Sequence, residues 1–78
     1  MEAEAVIARL GVFRDGILLA NAGDVLSALD SLDLVELTQF IESTFGIRVG
    51  LEDVTVTNFA SLAAIVSMVC GKIGRDGV

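Results

Sequence analysis

The 78-residue chain contains no histidine, tryptophan, tyrosine or proline, and it has a single cysteine. Histidine is the usual general base for an activated serine or cysteine and the commonest metal-binding side chain, so no Ser-His-Asp or Cys-His arrangement can be built. With Cys70 alone there is no intramolecular disulfide and no cysteine-rich zinc site, which needs four N or S ligands. Positive charge is also scarce: five Lys and Arg stand against eleven Asp and Glu, for a formal net charge of -6. The five, Arg9, Arg14, Arg48, Lys72 and Arg75, are scattered. Binding to a phosphate backbone needs such residues clustered to replace counterions, so no nucleic-acid partner is expected.

The length allows one domain over residues 1–78. A domain of this size buries roughly 60 to 65% of its unfolded surface, which leaves little interior for an enclosed substrate cavity. A non-catalytic protein is therefore expected. The mean hydropathy of +0.77 raises the membrane question, and residues 54–71 carry no charge. Thr55, Thr57, Asn58, Ser61 and Ser67 interrupt that stretch, and its mainly apolar part is too short to span a hydrocarbon core of roughly 30 Å. It reads as a buried amphipathic helix. Met1-Glu2-Ala3-Glu4 opens with acid where a signal peptide carries base, and one cysteine fits a reducing compartment. A cytoplasmic monomer is the expectation.

Hydrophobic spacing predicts an all-α fold, a small four-helix bundle of three main helices plus a short third helix, with a long loop between helices 1 and 2. The first helix covers residues 2–10, with Val6, Ile7 and Leu10 on one face and Gly11 as its stop. The connection over residues 12–29 is long for a compact domain. Its apolar residues, among them Phe13, Leu18 and Val25, predict that it packs over the core, with a turn at Asn21-Ala22-Gly23-Asp24.

The second helix, residues 31–45, has the clearest pattern. Asp30 is its N-cap, and Asp33 stands where a capping-box partner belongs. Leu34, Leu37, Ile41 and Phe45 fall in one core-facing stripe of roughly 80°, and Gly46 ends the helix. Ile47 and Val49 then point inward from a short extended segment, and residues 51–54 make the short third helix. The last helix covers residues 58–70, capped by Thr57 or Asn58, with Phe59, Leu62, Ala63, Val66 and Val69 on its core face and Gly71 as its stop. Met68 is expected at the surface, Cys70 as a partly buried structural thiol, and residues 72–78 as a frayed tail.

On the outward face of the second helix stand Leu32, Val35 and Gln39, bordered by Asp33, Glu36 and Glu42. No basic residue occurs between Asp15 and Arg48. An apolar patch with an acidic border suits a basic partner groove, in which charge steers the encounter and apolar residues supply contact area. The same pattern also describes a solvated helix face with two incidental apolar residues. Ser31, directly after the cap, has two readings as well. It is a common helix-start residue, or a hydroxyl placed where another enzyme can reach it, with the positive end of the helix dipole favouring a phosphodiester attached there. Without histidine in the chain, covalent chemistry at Ser31 would have to be performed by a partner.

Asp30-Ser31-Leu32-Asp33, followed by Val35-Glu36-Leu37, Ile41-Glu42, Phe45-Gly46-Ile47 and Val49, resembles the 4′-phosphopantetheine attachment region of acyl carrier proteins and related peptidyl carrier domains. The likeness continues through residues 58–65, which are similar to the start of that family's last helix, and covers residues 24–70. The resemblance implies that Ser31 is the attachment site, modified from coenzyme A by a Mg2+-dependent phosphopantetheinyl transferase, with Asp30 helping to present it. The thiol of the arm would hold an acyl or aminoacyl group as a thioester. Asp33, Glu36 and Glu42 would meet basic residues on the transferase, on the loading enzyme and on downstream synthase or tailoring enzymes, with Leu32 and Val35 as apolar contacts.

Three departures from the family pattern stand out. Ala28 replaces a frequent glycine, Gly50 replaces a frequent proline, and the third-helix region has only Glu52 and Asp53 as acids. The weak acidity there points to a discrete carrier of polyketide, nonribosomal peptide or other specialised biosynthesis. A carrier of fatty-acid synthesis is the alternative, and an unmodified carrier-like interaction module the second.

Overall fold

The computed structural model describes residues 2–76. Among them there are six α-helical segments and no strand. The three long ones are α1 (Ala3–Leu10), α4 (Ser31–Phe45) and α6 (Leu62–Asp76). Between them lie the short α2 (Ile17–Ala20), α3 (Val25–Ala28) and α5 (Val56–Phe59), with tight turns at Phe13–Gly16 and Leu51–Asp53. The all-α architecture agrees with the expectation. The long connection is not a plain loop, however, since α2 and α3 form within it.

Helix α1 packs against α6, which also contacts α4 and α5. Val6 and Leu10 of α1, Leu37 and Ile41 of α4, and Ile65 and Val69 of α6 are fully buried and meet in one core with Leu18, Val25 and Phe59. Burying such aliphatic side chains contributes about 1.5 to 3 kcal/mol each, the largest favourable term available to a chain of this size. The crossing segment is held by the backbone as well as by its apolar residues. Val25 N–H donates to the Ala60 carbonyl at 3.0 Å and Leu62 N–H to the Ala22 carbonyl at 2.9 Å. These two bonds join the turn before α3 to the joint between α5 and α6. The turn at residues 21–24 is closed by Asp24 N–H donating to the Asn21 carbonyl at 3.0 Å, and the Asp24 carboxylate then caps α3 through Ser27 N–H.

Helix α4 has the expected bounds. Leu34 and Phe45 are half-buried beside Leu37 and Ile41, so the predicted stripe faces the core. Gly46 ends the helix with φ 66, a left-handed conformation that costs glycine little, and its N–H donates to the Glu42 carbonyl at 3.0 Å. Ile47 is buried, Arg48 exposed and Val49 half-buried, as the alternation predicts.

The C-terminal third departs from the sequence reading in four respects. The predicted last helix is two helices: Thr55 caps α5 through Asn58 N–H at 3.1 Å. Ser61 then starts α6, its Oγ accepting from Ala64 N–H at 3.1 Å and its carbonyl from Ile65 N–H at 3.1 Å. Phe59, Leu62, Val66 and Val69 are buried as the pattern predicts, but Ile65 joins them on the core face in place of Ala63, which is exposed. Met68 is half-buried against the core, not at the surface. Finally, α6 passes Gly71 and runs to Asp76. Interior glycines cost roughly 1 kcal/mol each in a helix, but Ile73 packs on the core and Lys72 Nζ lies 2.7 Å from Asp53 Oδ2, which holds the extra turns. The expected fraying at residues 72–76 is thereby corrected, while residues 77 and 78 lie outside the described range. The expected short third helix is a single turn, Leu51–Asp53, and Cys70 is half-buried beside the core.

Both glycine and proline departures have local explanations. Ala28 closes α3 without a positive φ, so nothing there requires glycine. Gly50 N–H donates to Asp53 Oδ2 at 3.1 Å, a bond that proline has no N–H to make.

Candidate functional site

The site is built at the start of α4. Leu29 and Asp30 are extended, and helical geometry begins at Ser31. Asp33 N–H donates to Asp30 Oδ1 at 2.8 Å, and Asp30 N–H donates to Asp33 Oδ2 at 3.3 Å. The two aspartates thus form a reciprocal capping box, although glutamate is the usual residue at the second position. Because Asp30 does the capping, Ser31 is not needed for it. The Ser31 side chain is exposed and its hydroxyl has no hydrogen-bond partner among the described residues. A hydroxyl at that place is reachable from outside and lies by the N–H end of a fifteen-residue helix.

Leu32 and Val35 are 66% and 52% exposed, and Gln39 beside them is also exposed. This apolar strip lies where the helical pattern put it. The carboxylates expected to border it are engaged within the chain. The Arg14 guanidinium lies with Nη2 3.1 Å from Asp33 Oδ1, and the same nitrogen donates to Glu36 Oε2. Glu42 Oε2 accepts from Val49 N–H at 2.9 Å, so this side chain ties α4 to the extended segment behind it.

Arg14 is the residue that sequence reasoning missed. It is delivered by Phe13, which is buried, with its ring centroid 5.3 Å from that of Phe40 on α4 in a tilted arrangement. The Arg14 guanidinium carbon also lies 6.0 Å from the Phe13 ring centroid, a contact worth about 0.5 to 1 kcal/mol when exposed. Beyond Phe13 the chain reverses through three left-handed residues, Arg14 at φ 48, Asp15 at φ 56 and Gly16 at φ 87. The first two are not glycine and each costs about 1 to 2 kcal/mol. No periodicity in the sequence announces this arrangement, because Arg14 reaches α4 only through the tertiary docking of Phe13.

Away from α4, an open, mostly apolar groove of about 580 Å³ runs between α1 and α6, with Ile7, Leu62, Ala63 and Val66 in its walls. Among the described residues no group of His, Cys, Asp and Glu is placed to hold a metal ion, and no helix is long and apolar enough to cross a membrane.

Comparison with known families finds that residues 24–69, from the Asp24 cap into α6, match the family model described as the phosphopantetheine attachment site. The chain belongs to the acyl and peptidyl carrier protein family. The cofactor of such a carrier is covalent 4′-phosphopantetheine. Carriers interact in general with a phosphopantetheinyl transferase and with partner enzymes, and are themselves generally non-catalytic. Comparisons with curated proteins and with solved structures return no match. The matched segment of this carrier contains Ser31, the capping aspartates and the exposed strip; Arg14 lies outside it.

Proposed function

We propose that Ser31 is the residue that bears the arm, and that the chain holds an acyl or aminoacyl intermediate as a thioester on the arm's thiol for partner enzymes. The observation that carries this reading is the exposed Ser31 hydroxyl at the start of α4, relieved of capping by Asp30. In the attachment step Ser31 Oγ attacks the phosphorus of coenzyme A that bears the pantetheine. A new P–O bond forms to serine, the pyrophosphate P–O bond breaks, and adenosine 3′,5′-bisphosphate leaves. The serine proton goes to a base on the transferase, since this chain contains no histidine. The resulting phosphodiester carries one negative charge near the α4 N-terminus, where the helix dipole favours it. Leu32 and Val35 supply apolar contact to the partner, while Asp33 and Glu36 supply charge. Asp30 acts by holding the helix start in shape, and Glu42 belongs to the fold more than to the docking face, because Val49 occupies it.

The pathway in which the carrier works is proposed to be a specialised one, making polyketides, nonribosomal peptides or modified acyl groups. The support is the weakly acidic turn at Leu51–Asp53, one of whose two acids, Asp53, is engaged by Lys72.

The test is intact-protein mass spectrometry after incubation with a broad-specificity phosphopantetheinyl transferase, Mg2+ and coenzyme A. The expected result is a mass gain of one phosphopantetheine, lost in Ser31→Ala. No gain with several transferases, or a gain that persists in Ser31→Ala, overturns the assignment.

A further inference from the structure

We propose that Arg14 is an internal counterion on the docking face, which a basic partner must displace from Asp33 and Glu36 before it can seat on α4. The inference rests on the reading of α4 as the partner-facing helix and adds to it the regulation of that face.

One guanidinium bridges two carboxylates three residues apart on the same helix, at 3.1 Å from Asp33 and in direct hydrogen bond with Glu36. The cluster has thereby already selected a cation, and the chemistry it selects is that of a partner's arginine or lysine. The side chains of Arg14, Asp33 and Glu36 are 40%, 21% and 42% exposed. Pairs this exposed are weak and exchange readily, so an incoming cation can replace the internal one. The internal one nevertheless has the advantage of tethering. Phe13 is buried against Phe40, so the neighbouring guanidinium stays at high effective concentration over the two carboxylates.

Two consequences follow for recognition. A partner offering one isolated cation competes poorly with a tethered arginine, whereas a groove lined with several cations gains enough to exchange it. Displacement also frees the Arg14 guanidinium at the rim of the complex, where its charge opposes that of the partner. The device therefore raises the threshold for docking and sharpens discrimination between strongly and weakly basic surfaces. The hydrophobic core does not include the guanidinium, so its removal tests docking without dismantling the fold.

The experiment measures binding of a basic phosphopantetheinyl transferase, without coenzyme A, to the intact chain and to three variants, at low and at high ionic strength. One variant is Arg14→Gln and the second combines Arg14→Gln with Asp33→Asn and Glu36→Gln, the second being judged against the third, Asp33→Asn with Glu36→Gln alone. Circular dichroism confirms that each is folded. The expected result is that Arg14→Gln binds about 2- to 5-fold more tightly at low salt, as loss of one exposed competing pair predicts. The gain shrinks at high salt and is absent from the triple variant. Binding by folded Arg14→Gln that is equal or weaker, a gain insensitive to salt, or a gain retained in the triple variant overturns the proposal. Absence of binding by every form overturns the docking face and the counterion together. Mass spectrometry of the same samples after coenzyme A is added reads the Ser31 assignment separately: no arm gain, with the binding pattern intact, removes that assignment and leaves the counterion standing.

Discussion

The Glu42 carboxylate accepts the backbone N–H of Val49 at 2.9 Å, joining the middle of α4 to the extended segment that follows its own C-terminus. On the sequence the same glutamate reads as one of three acids bordering a docking patch. In the fold it satisfies a partly buried backbone donor. Glu42→Ala should therefore cost about 1 to 2 kcal/mol, the typical penalty for leaving such a donor unpaired, and should leave the salt dependence of partner binding unchanged. Urea denaturation compared with Glu36→Ala checks this. Glu36, held only in an exposed ion pair, should change stability by about 0.5 kcal/mol or less.

The capping box separates the structural role of Asp30 from the attachment role proposed for Ser31. Asp30→Ala removes the acceptor for Asp33 N–H and should destabilise the fold by about 1 kcal/mol. Ser31→Ala should stay within about 0.5 kcal/mol of the parent in thermal melts while abolishing arm attachment. If Ser31→Ala melted as low as Asp30→Ala, the hydroxyl would be a structural group.

Burial divides the apolar residues of α4 into two kinds. Leu37→Ala and Ile41→Ala open cavities in a core where both side chains are fully buried and should cost about 2 to 5 kcal/mol each. Leu32→Ala and Val35→Ala, on the exposed face, should leave stability within about 0.5 kcal/mol and weaken transferase binding. Denaturation midpoints and binding titrations on the four variants should rank them in opposite orders.

The turn that carries Arg14 offers a backbone test. Asp15 sits at φ 56, a conformation that costs an L-residue about 1 to 2 kcal/mol, whereas glycine adopts it freely but loses about 0.5 to 1 kcal/mol in unfolded-state entropy. Asp15→Gly should therefore stabilise by about 0.5 kcal/mol. Gly46→Ala, at φ 66 with open space around the added methyl, should destabilise by about 1 kcal/mol from backbone strain alone. Paired thermal melts of the two variants should shift in opposite directions.

Much of this protein follows from residues close together in the chain. Local hydrogen bonding and periodicity set α4: Asp30 and Asp33 lie within reach of each other's backbone, the Leu34, Leu37, Ile41 and Phe45 stripe has the helical repeat, and Gly46 accepts the left-handed exit. For the same reason Ser31, Leu32 and Val35 could be placed on the outward side from spacing alone.

Tertiary packing decided the rest. The connection over residues 12–29 acquires helices because Leu18 and Val25 are drawn into the core and Ala22 and Val25 bond to the α5–α6 joint. Lys72 and Ile73 carry α6 past two glycines through contacts with Asp53 and the core. Above all, the charge on the outward face of α4 is not the charge of its own residues. A run of acids with no base between Asp15 and Arg48 becomes a partly neutralised face, because Phe13 packs on Phe40 and brings Arg14 to Asp33 and Glu36. Charge along a chain is a property of sequence; the field a partner meets depends on distances across space, which only the fold supplies.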